Sequence, residues 1–314
     1  DWLVKELGLI TNCPLVVSVT TKKDKGKNEK ERKLFTSEKT SFLEFNPVTI
    51  SKIKEDIAKK KGISTISVTD HDTFAGSIRA KIFGKRHSVE VISGAELSAY
   101  DYKRGRKAHI LCYLCDNTTR LEGLFKRTAE SRKKAAAIML QKVMTMYPIS
   151  PEMVSRRAKG STNIFKQHIM HALMDAGYTE SIYGSLFNKL FNPRFGLAYT
   201  EVEYPDVYDV VDQIHEAGGV AVLAHPSVYD SFDLLEDLIE YGIDGVEVWH
   251  TRNKEGDEEK LQKIARDNNL VMTGGTDFHG MYSSVFSPLG KCTTPDSQVL
   301  ALKKRKEKLL KTLA

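Results

Sequence analysis

The sequence predicts an α/β fold, and two features of the 314-residue chain support that prediction. Short apolar runs rich in β-branched residues alternate with segments in which apolar residues recur at helical spacing. The alternation is interrupted once, at 118–205, where the signals are mostly helical. Strands alternating with helices are typical of βα units around a parallel sheet or barrel, so the helical segment is interpreted as an insertion domain.

The first 117 residues divide into two parts. Residues 1–33 are interpreted as an N-terminal extension with a candidate strand at 15–19 and a Lys-rich loop. Residues 34–117 form the first part of the α/β domain. A helix is predicted there at 50–61, followed by strands at 63–68, 89–92 and 109–113.

The remaining elements continue the pattern after the insertion. Within 118–205, helices are predicted at 121–147 and 165–176. Residues 206–314 form the second part of the α/β domain, in which strands and helices alternate again. Helices are predicted at 207–216, 232–241 and 254–268, and strands at 219–223, 245–248 and 270–273.

The composition excludes several classes of protein. Apolar residues make up 41% of the chain and charged residues 28%, close to the usual values for a globular protein. No apolar stretch approaches the roughly 20 residues of a membrane span, and no N-terminal stretch has the pattern of a secretory signal. Four scattered cysteines fit a reducing compartment, and we interpret the pair Cys112 and Cys115 as core residues. We therefore expect a cytoplasmic protein without membrane association.

The net charge of +6 is mild, and the basic residues are concentrated in two runs, at 22–33 and 303–306. Two interpretations remain for these runs. They are a solvated loop and a solvated helix end, or they attract a polyanionic substrate such as a nucleotide or short RNA. Neither run interleaves aromatic residues, as a surface for single-stranded nucleic acid does.

Side chains that bind metals follow four of the predicted strands at their carboxyl ends. In a βα barrel these ends face one rim, where active sites are built, so residues far apart in the chain converge there. Histidine and carboxylate together suit Zn, Mn or Fe better than Ca or Mg alone. The residues are Asp70 and His71, Glu96, His225, and Asp277 and His279, with His109 opening a further strand.

The other histidines are interpreted differently. Lone histidines such as His87, His215 and His250 are more often surface or satisfied core residues than ligands. In contrast, strand alternation directs Asp277 and His279 to the same side, as two ligands of one cluster require.

Five motifs, in order, resemble the PHP (polymerase and histidinol phosphatase) family. They are Thr-Asp-His-Asp-Thr at 69–73, Gly-Ala-Glu-Leu-Ser at 94–98, His-Ile-Leu at 109–111, Gly-Gly-Val-Ala-Val-Leu-Ala-His-Pro at 218–226 and Gly-Gly-Thr-Asp-Phe-His-Gly at 274–280. The resemblance covers roughly 34–293 and is nearest to the stand-alone phosphoesterases that act on nucleotides and short RNA ends. It implies a distorted (β/α)7 barrel with up to three metals at its rim and a helical insertion that covers the site.

The resemblance also implies roles for individual residues. Catalytic roles are implied for Asp70, His71 and Asp277. Phosphate contacts are implied for Lys166 and His168, which lie where the family has Arg-Pro-His, and more weakly for Arg132. The implied metal ligands are His71, Glu96, His109, His225, Asp277 and His279.

The chain departs from the family at its first motif. The family begins with His-x-His and an Asp five residues later, and the corresponding positions here are Phe35, Ser37 and Phe42. No histidine precedes His71. Only the metal that Glu96, His109 and His225 would bind keeps its full set of ligands.

Two functions are therefore expected from the sequence. The first is a metal-dependent phosphoesterase that hydrolyses a phosphate ester of a nucleotide or short RNA end, with one to three Mn, Zn or Fe ions per chain. The alternative is a pseudoenzyme of the same fold that binds a phosphorylated ligand or partner with little or no turnover. The expected partner is a phosphorylated small molecule or short oligonucleotide, and no pattern points to a protein partner. Six retained ligand-type residues favour the enzyme, because buried polar groups without partners are costly.

Overall fold

The computed structural model describes residues 17–21, 63–87, 89–159, 161–279, 282, 284 and 290–313. The predicted helix at 50–61 lies outside the described residues, as do Phe35, Ser37, Phe42 and the basic run at 22–33. Among the described residues, no helix has the length and apolar character needed to cross a membrane.

Seven strands follow one another in chain order around a curled sheet. They are β1 (Val17–Thr21), β2 (Ile63–Val68), β3 (Glu90–Asp101), β4 (Arg106–Tyr113), β5 (Val220–Leu223), β6 (Gly245–His250) and β7 (Val271–Gly275). One residue pair, Ser18 with Gly275, links β1 back to β7. β1 lies within the segment that the sequence analysis interpreted as an N-terminal extension. Because β1 pairs with β2 and β7, these residues belong to the sheet.

The predicted α/β class is confirmed, but the sheet is mixed rather than wholly parallel. Parallel pairs join β2 to β3, β5 to β6 and β6 to β7, whereas the other pairs are antiparallel. β3 and β4 must run antiparallel because the connection at 102–105 is too short for a crossover. Gly105 occupies the left-handed region in this turn, at φ +66°, which glycine adopts without steric cost.

Ten helices surround the sheet or build the insertion in the described part of the chain. They are α1 (Ala75–His87), α2 (Glu122–Met144), α3 (Pro151–Arg157), α4 (Lys166–Asp175), α5 (Ser185–Phe191), α6 (Val207–Glu216), α7 (Pro226–Tyr229), α8 (Phe232–Tyr241), α9 (Asp257–Asp267) and α10 (Asp296–Leu313). Four of them, α2 to α5, lie between β4 and α6, where the sequence predicted a helical insertion.

The sheet and the insertion have separate hydrophobic cores. Leu97, Ile110 and Leu223 of the sheet pack with residues of α6 and α8 in one cluster. The insertion packs Ile169 and Leu173 of α4 with residues of α2, α3 and α5 in another. Tyr282, which follows β7 in the chain, also belongs to the insertion's core. The insertion core is therefore completed by a residue from the C-terminal part of the chain.

The basic run at 303–306 is not a free positive patch. It lies in α10, where buried Lys306 contacts the Asp116 carboxylate and the Gly218 carbonyl. Lys303 donates to Glu90 at 2.5 Å. These contacts engage Lys303 and Lys306, whereas Lys304 is exposed.

Candidate metal centre and phosphate pocket

Three residues at strand ends have strained backbone conformations. Asp72 lies shortly after β2, His225 after β5 and Asp277 after β7, with φ of +54°, +27° and +48°. Positive φ is uncommon outside glycine, and such strain is concentrated at functional sites. A hydrogen bond joins the segment after β2 to β3: the Asp72 N–H donates to the Glu96 carbonyl at 2.9 Å.

The Glu96 carboxylate lies at the centre of a group of histidines and is only 1% exposed. Its Oε1 atom contacts His109 Nδ1 closely and lies 3.1 Å from His225 Nε2. Its Oε2 atom lies 4.0 Å from His71 Nδ1. The two oxygens therefore face different histidines. The register of β3 and β4 places Ser98 opposite His109, so Glu96 is the diagonal neighbour of His109 on one face.

The distances between these donor atoms fit a divalent metal. Ligand atoms about 2.1 Å from an ion in a tetrahedral site are about 3.4 Å apart. His225 Nε2 lies 3.4 Å from His109 Nδ1 and 3.1 Å from Glu96 Oε1. His71 Nδ1 and Glu96 Oε2 are buried and have no hydrogen-bond partner among the residues that the structure describes. Because buried polar atoms normally have one, these two are available to a cation.

The protonation states of the group also suit a metal. Burial lowers the pKa of His71 to about 4, against the opposing charge of Glu96, and burial likewise lowers the pKa of His109. Both are therefore neutral near pH 7, the form that binds metals. Burial raises the pKa of Glu96, but the nearby histidines outweigh burial and hold that pKa well below its usual range.

His225 is the exception among these histidines. Burial lowers its pKa, but the hydrogen bond and negative charge of Glu96 outweigh that effect and raise it to about 9. Without a metal His225 is protonated, so metal binding at its Nε2 atom would release a proton. Its backbone N–H donates to Glu247 at 2.9 Å, which fixes the turn after β5.

Asp277 forms a second group at the same rim. Its Oδ2 atom accepts from Arg252 Nη2 at 2.8 Å and lies 3.6 Å from His250 Nε2. Its Oδ1 atom lies 3.3 Å from His279 Nδ1. Burial opposes ionisation, yet the charge of His279 and the nearby His250 hold the pKa of Asp277 far below its usual range.

The hydrogen bonding of His279 fixes its tautomer. Its Nδ1 atom lies 2.9 Å from the Asp277 carbonyl oxygen, which can only accept. Nδ1 therefore carries the hydrogen, leaving Nε2 with the lone pair that binds a metal. The rings of His279 and His71 are 6.0 Å apart between centroids. His279 is thus prepared to act as a ligand alongside His71.

A cavity of about 270 Å³ joins both groups to the insertion. Arg132 of α2 extends into it, donating to Asp72 at 3.1 Å and to Ser98 at 2.6 Å. Its guanidinium carbon lies 5.2 and 5.1 Å from the ring centroids of Phe165 and Tyr204. Anchored in this way, Arg132 presents a fixed positive charge to the cavity.

Two lysines add positive charge to the same wall. Burial, together with repulsion by Lys107 and Arg132, lowers the pKa of Lys166 to about 8. Burial also lowers the pKa of Lys107. Three crowded cations with a metal-type centre beside them form an environment complementary to a phosphate.

Comparison with known proteins identifies the family. A phosphoribosyl 1,2-cyclic phosphate 1,2-diphosphodiesterase from Eggerthella lenta is 36% identical to the chain over 230 residues, which are 73% of this chain and 87% of the relative. The chain belongs to this phosphoesterase family.

Two further comparisons agree with this family. A 5'-3' exoribonuclease from Haemophilus influenzae is 25% identical over 227 residues, covering 71% of this chain and 81% of the relative. A crystal structure from Bifidobacterium adolescentis, described as a metal-dependent phosphoesterase, has a TM-score of 0.72 and 28% identity and covers 81% of this chain and 90% of its own. No family model matches the chain.

Most of the site residues inferred from the phosphoesterase motifs border the one cavity. They are His71, Glu96, His109, Arg132, Lys166, His225, Asp277 and His279. Two others lie elsewhere. Asp70 is buried behind the rim, where its carbonyl accepts the Glu96 N–H at 3.1 Å.

His168 does not border the cavity, although the motif suggested a phosphate contact. It lies on the first turn of α4, where its Nδ1 atom accepts the Phe165 N–H at 3.1 Å. Burial lowers its pKa to about 4, so it is neutral near pH 7 and offers no positive charge to a phosphate. Its position three residues after the N-cap residue Phe165 is typical of a capping residue.

Sequence reasoning missed two residues of this phosphoesterase site. His250 was interpreted as a lone histidine, yet it is buried beside Asp277. Arg252 was not singled out, yet it borders the cavity and pairs with Asp277. Both come at the carboxyl end of β6, so the criterion applied to the other strand ends could have found them.

Proposed function

We propose that the protein is a metal-dependent phosphoesterase that hydrolyses a phosphate ester of a nucleotide or short RNA end. The observation that supports this most directly is the convergence of three histidines on the two oxygens of Glu96, beside Arg132 and Lys166. The relatives in the same family act, by their names, on a cyclic phosphate and on RNA.

The residues that would hold metal are those around Glu96. Glu96, His109 and His225 form the most complete set. His71 lies 4.0 Å from the second carboxylate oxygen, and the His279 ring lies 6.0 Å from the His71 ring. One to three Mn, Zn or Fe ions per chain suit these donors. A divalent metal bound there supplies a Lewis acid and lowers the pKa of a bound water.

The insertion would supply phosphate binding. Arg132 is held in place by Asp72 and Ser98, and its charge lies at the cavity wall. Lys166 adds a second charge from the start of α4, with its Nζ atom 4.5 Å from the centre of the Tyr199 ring. Fixed cations at this wall would bind the phosphate and stabilise charge as it redistributes.

The shape and lining of the cavity support a nucleotide-sized substrate. A volume of about 270 Å³ suits a small phosphorylated molecule or the end of a short strand. Tyr183, Tyr199, Tyr204 and Tyr229 border it. Aromatic rings of this kind stack on nucleobases with little sequence preference.

We also propose that the chain is a PHP-type phosphoesterase with a distorted (β/α)7 barrel. The barrel would comprise 34–117 and 206–314, preceded by the extension at 1–33, which contributes β1 to the sheet. The segment at 118–205 would act as a lid. Support comes from strands that succeed one another in chain order and from insertion residues in the cavity wall.

The alternative is a pseudoenzyme that binds a phosphorylated ligand without turnover. Phe35, Ser37 and Phe42, at positions where the family has ligands, favour it. Loss of ligands should lower metal affinity strongly, because substitution of residues that merely hydrogen-bond to a metal ligand already lowers it about 10- to 100-fold.

Phosphate release separates the two functions. Purified protein supplied with Mn²⁺ or Zn²⁺ is assayed on nucleoside mono- and bisphosphates and on 5'-phosphorylated di- and trinucleotides. The phosphoesterase releases phosphate, and His225→Ala abolishes release whereas Arg266→Gln, at an exposed position on α9, does not. If no ester releases phosphate, and His225→Ala does not change ligand binding, the protein is the pseudoenzyme.

A further inference from the structure

Asp277 is paired with a cation that belongs to the protein itself. Arg252 Nη2 donates to its Oδ2 atom at 2.8 Å, and His250 Nε2 lies 3.6 Å from the same oxygen. The Asp277 side chain is 9% exposed. Opposite charges attract more strongly in such a site than in water, so the Arg252 guanidinium offsets the charge of this carboxylate through Oδ2. Among the described residues, Asp277 Oδ1 is buried without a hydrogen-bond partner.

The tautomer of His250 shows which of its nitrogens faces Asp277 and in what form. Its Nδ1 atom lies 3.2 Å from the backbone N–H of Arg252, which can only donate. Nδ1 therefore accepts, and the hydrogen of a neutral His250 resides on Nε2. Nε2 faces Asp277 Oδ2 with a hydrogen and not with a lone pair. The 3.6 Å separation is longer than a hydrogen bond, but a protonated Nε2 atom has no lone pair for a metal in this arrangement.

The positions of the first family motif do not carry metal-binding side chains that could share an ion with Asp277. In the resemblance described above, the ion at this acid also uses the His-x-His pair, and Phe35 and Ser37 stand at those positions. A carboxylate without that ion needs another positive partner, because burying an unpaired charge is costly. Arg252 meets this need with a charge that does not depend on pH.

We propose that Arg252 takes the place of a metal ion at Asp277 and that its remaining N–H groups bind a phosphate oxygen of the substrate. Arg252 borders the cavity and its side chain is 38% exposed. Within the part of the chain that the structure describes, the guanidinium hydrogen-bonds to Asp277 alone. Since a guanidinium has five N–H donors, others remain for an anion.

This role rests on the proposed phosphoesterase function but changes the predicted ligand set. Asp277, predicted as a metal ligand and catalytic residue, becomes the anchor that orients Arg252. Metal binding is then confined to the histidines around Glu96. Arg252, two residues after β6, and Arg132 of α2 would contact a bound phosphate from different parts of the cavity wall.

Mn²⁺ binding tests the assignment of Asp277. Equilibrium dialysis followed by plasma mass spectrometry gives the number of Mn²⁺ ions per chain and their affinity. Asp277→Asn, which preserves the shape of the side chain, should keep the number of ions and an affinity within about 3-fold of the unaltered protein. A lost ion, or an affinity reduced 10-fold or more, would show that Asp277 is a ligand and overturn the proposal.

Binding of inorganic phosphate tests Arg252. Calorimetric titration of the Mn²⁺-loaded protein should give an affinity about 10- to 100-fold lower for Arg252→Gln, the range for loss of a hydrogen bond to a charged group. Arg252→Lys should recover part of that loss, because it keeps the charge but not the forked geometry. An Arg252→Gln affinity equal to that of the unaltered protein rejects the role.

A matched control is available in Arg120→Gln, since Arg120 is exposed and away from the cavity. It should alter neither Mn²⁺ nor phosphate binding. Neither titration measures turnover. If the unaltered protein hydrolyses no ester, the proposed function fails, while these measurements still decide whether Arg252 replaces a metal ion.

Discussion

Glu96 determines the charge state of its neighbours. His109 and His225 share one of its oxygens, and His71 faces the other. A neutral amide of the same shape could not serve two groups of ligands or hold a proton on His225. The site therefore depends on one carboxylate more than on any single histidine.

Replacing Glu96 should cost most of the metal affinity. We expect Glu96→Gln to lower Mn²⁺ affinity at least 100-fold, because it removes the negative ligand shared by the histidines. Dialysis with elemental analysis measures the change. Glu90→Gln is the matched control, since Glu90 is half-exposed on the same strand. Mn²⁺ retention by Glu96→Gln equal to that of the control would contradict the proposed centre.

Lys166 should impose a pH dependence on substrate binding. Its lowered pKa of about 8 means that it is charged below that pH and loses its charge above it. KM for a phosphate ester should therefore rise as the pH is raised from about 7 to 9. Steady-state kinetics of the unaltered protein and of Lys166→Met measure the effect. Lys166→Met should have a higher KM with a flatter profile, and an identical profile would rule out this role.

At the level of elements, β6 explains why strand alternation alone does not place His250 in the site, although its position at a strand end points there. Strict alternation puts Glu247 and His250 on opposite faces of a strand, because they are three residues apart. The register of β6 against β7 shifts between Glu247 and Trp249. Such a bulge re-aims side chains, and here both residues reach the rim.

The other strand ends could be predicted without knowledge of the β-bulge in β6. His71, His225 and Asp277 were expected at one rim from the carboxyl-end rule alone, and they border one cavity. The motif predicted a phosphate contact for His168, but in the structure this residue caps a helix and does not border the cavity. Residue spacing alone cannot distinguish a capping residue from a ligand-binding residue. The role of each residue remains a prediction.

β3 approaches β2 closely at Gly94, two residues before Glu96. A Cβ atom there would lie 2.6 Å from Ser67 Oγ and 2.8 Å from Thr69 Cγ2. We expect Gly94→Ala to destabilise the protein by about 1–3 kcal/mol through overpacking and to weaken Mn²⁺ binding by displacing Glu96. Chemical denaturation and dialysis measure the two effects.

Gly123→Ala provides the comparison for this prediction. A Cβ atom at Gly123, in the first turn of α2, would meet only Arg127 Nη1, at 3.7 Å. This variant should be neutral or slightly stabilising, since alanine restricts the unfolded chain. Equal losses in the two variants would show that close strand approach is not the cause.

For the whole molecule, the α/β class followed from the alternation of elements, but strand direction did not. Short connections such as 102–105 decide direction, and the insertion separates β4 from β5, which pair antiparallel. The basic run at 303–306 suggested a solvated helix end. In the structure this run belongs to α10, whose residues Val299 and Leu302 pack against the sheet. Periodicity identifies elements but carries little information on which surfaces they cover.

A bound metal should stabilise the whole protein. Metal at 100 times its Kd adds about 2.7 kcal/mol to the free energy of unfolding, on the order of 5 °C in Tm. Thermal melts with Mn²⁺ and after chelation measure the shift. Glu96→Gln should melt at the same temperature in both conditions. An unaltered protein that gains nothing from Mn²⁺, Zn²⁺ or Fe²⁺ would argue against the metal centre.

The contribution of Tyr282 to the insertion core has a consequence for biosynthesis. The helices of the insertion leave the ribosome well before Tyr282 does, so their core lacks this side chain while the rest of the chain is being made. The residue that completes the core also follows Asp277 and His279 in the chain. The insertion thus cannot finish packing before the last strand-end residues of the site have been synthesised.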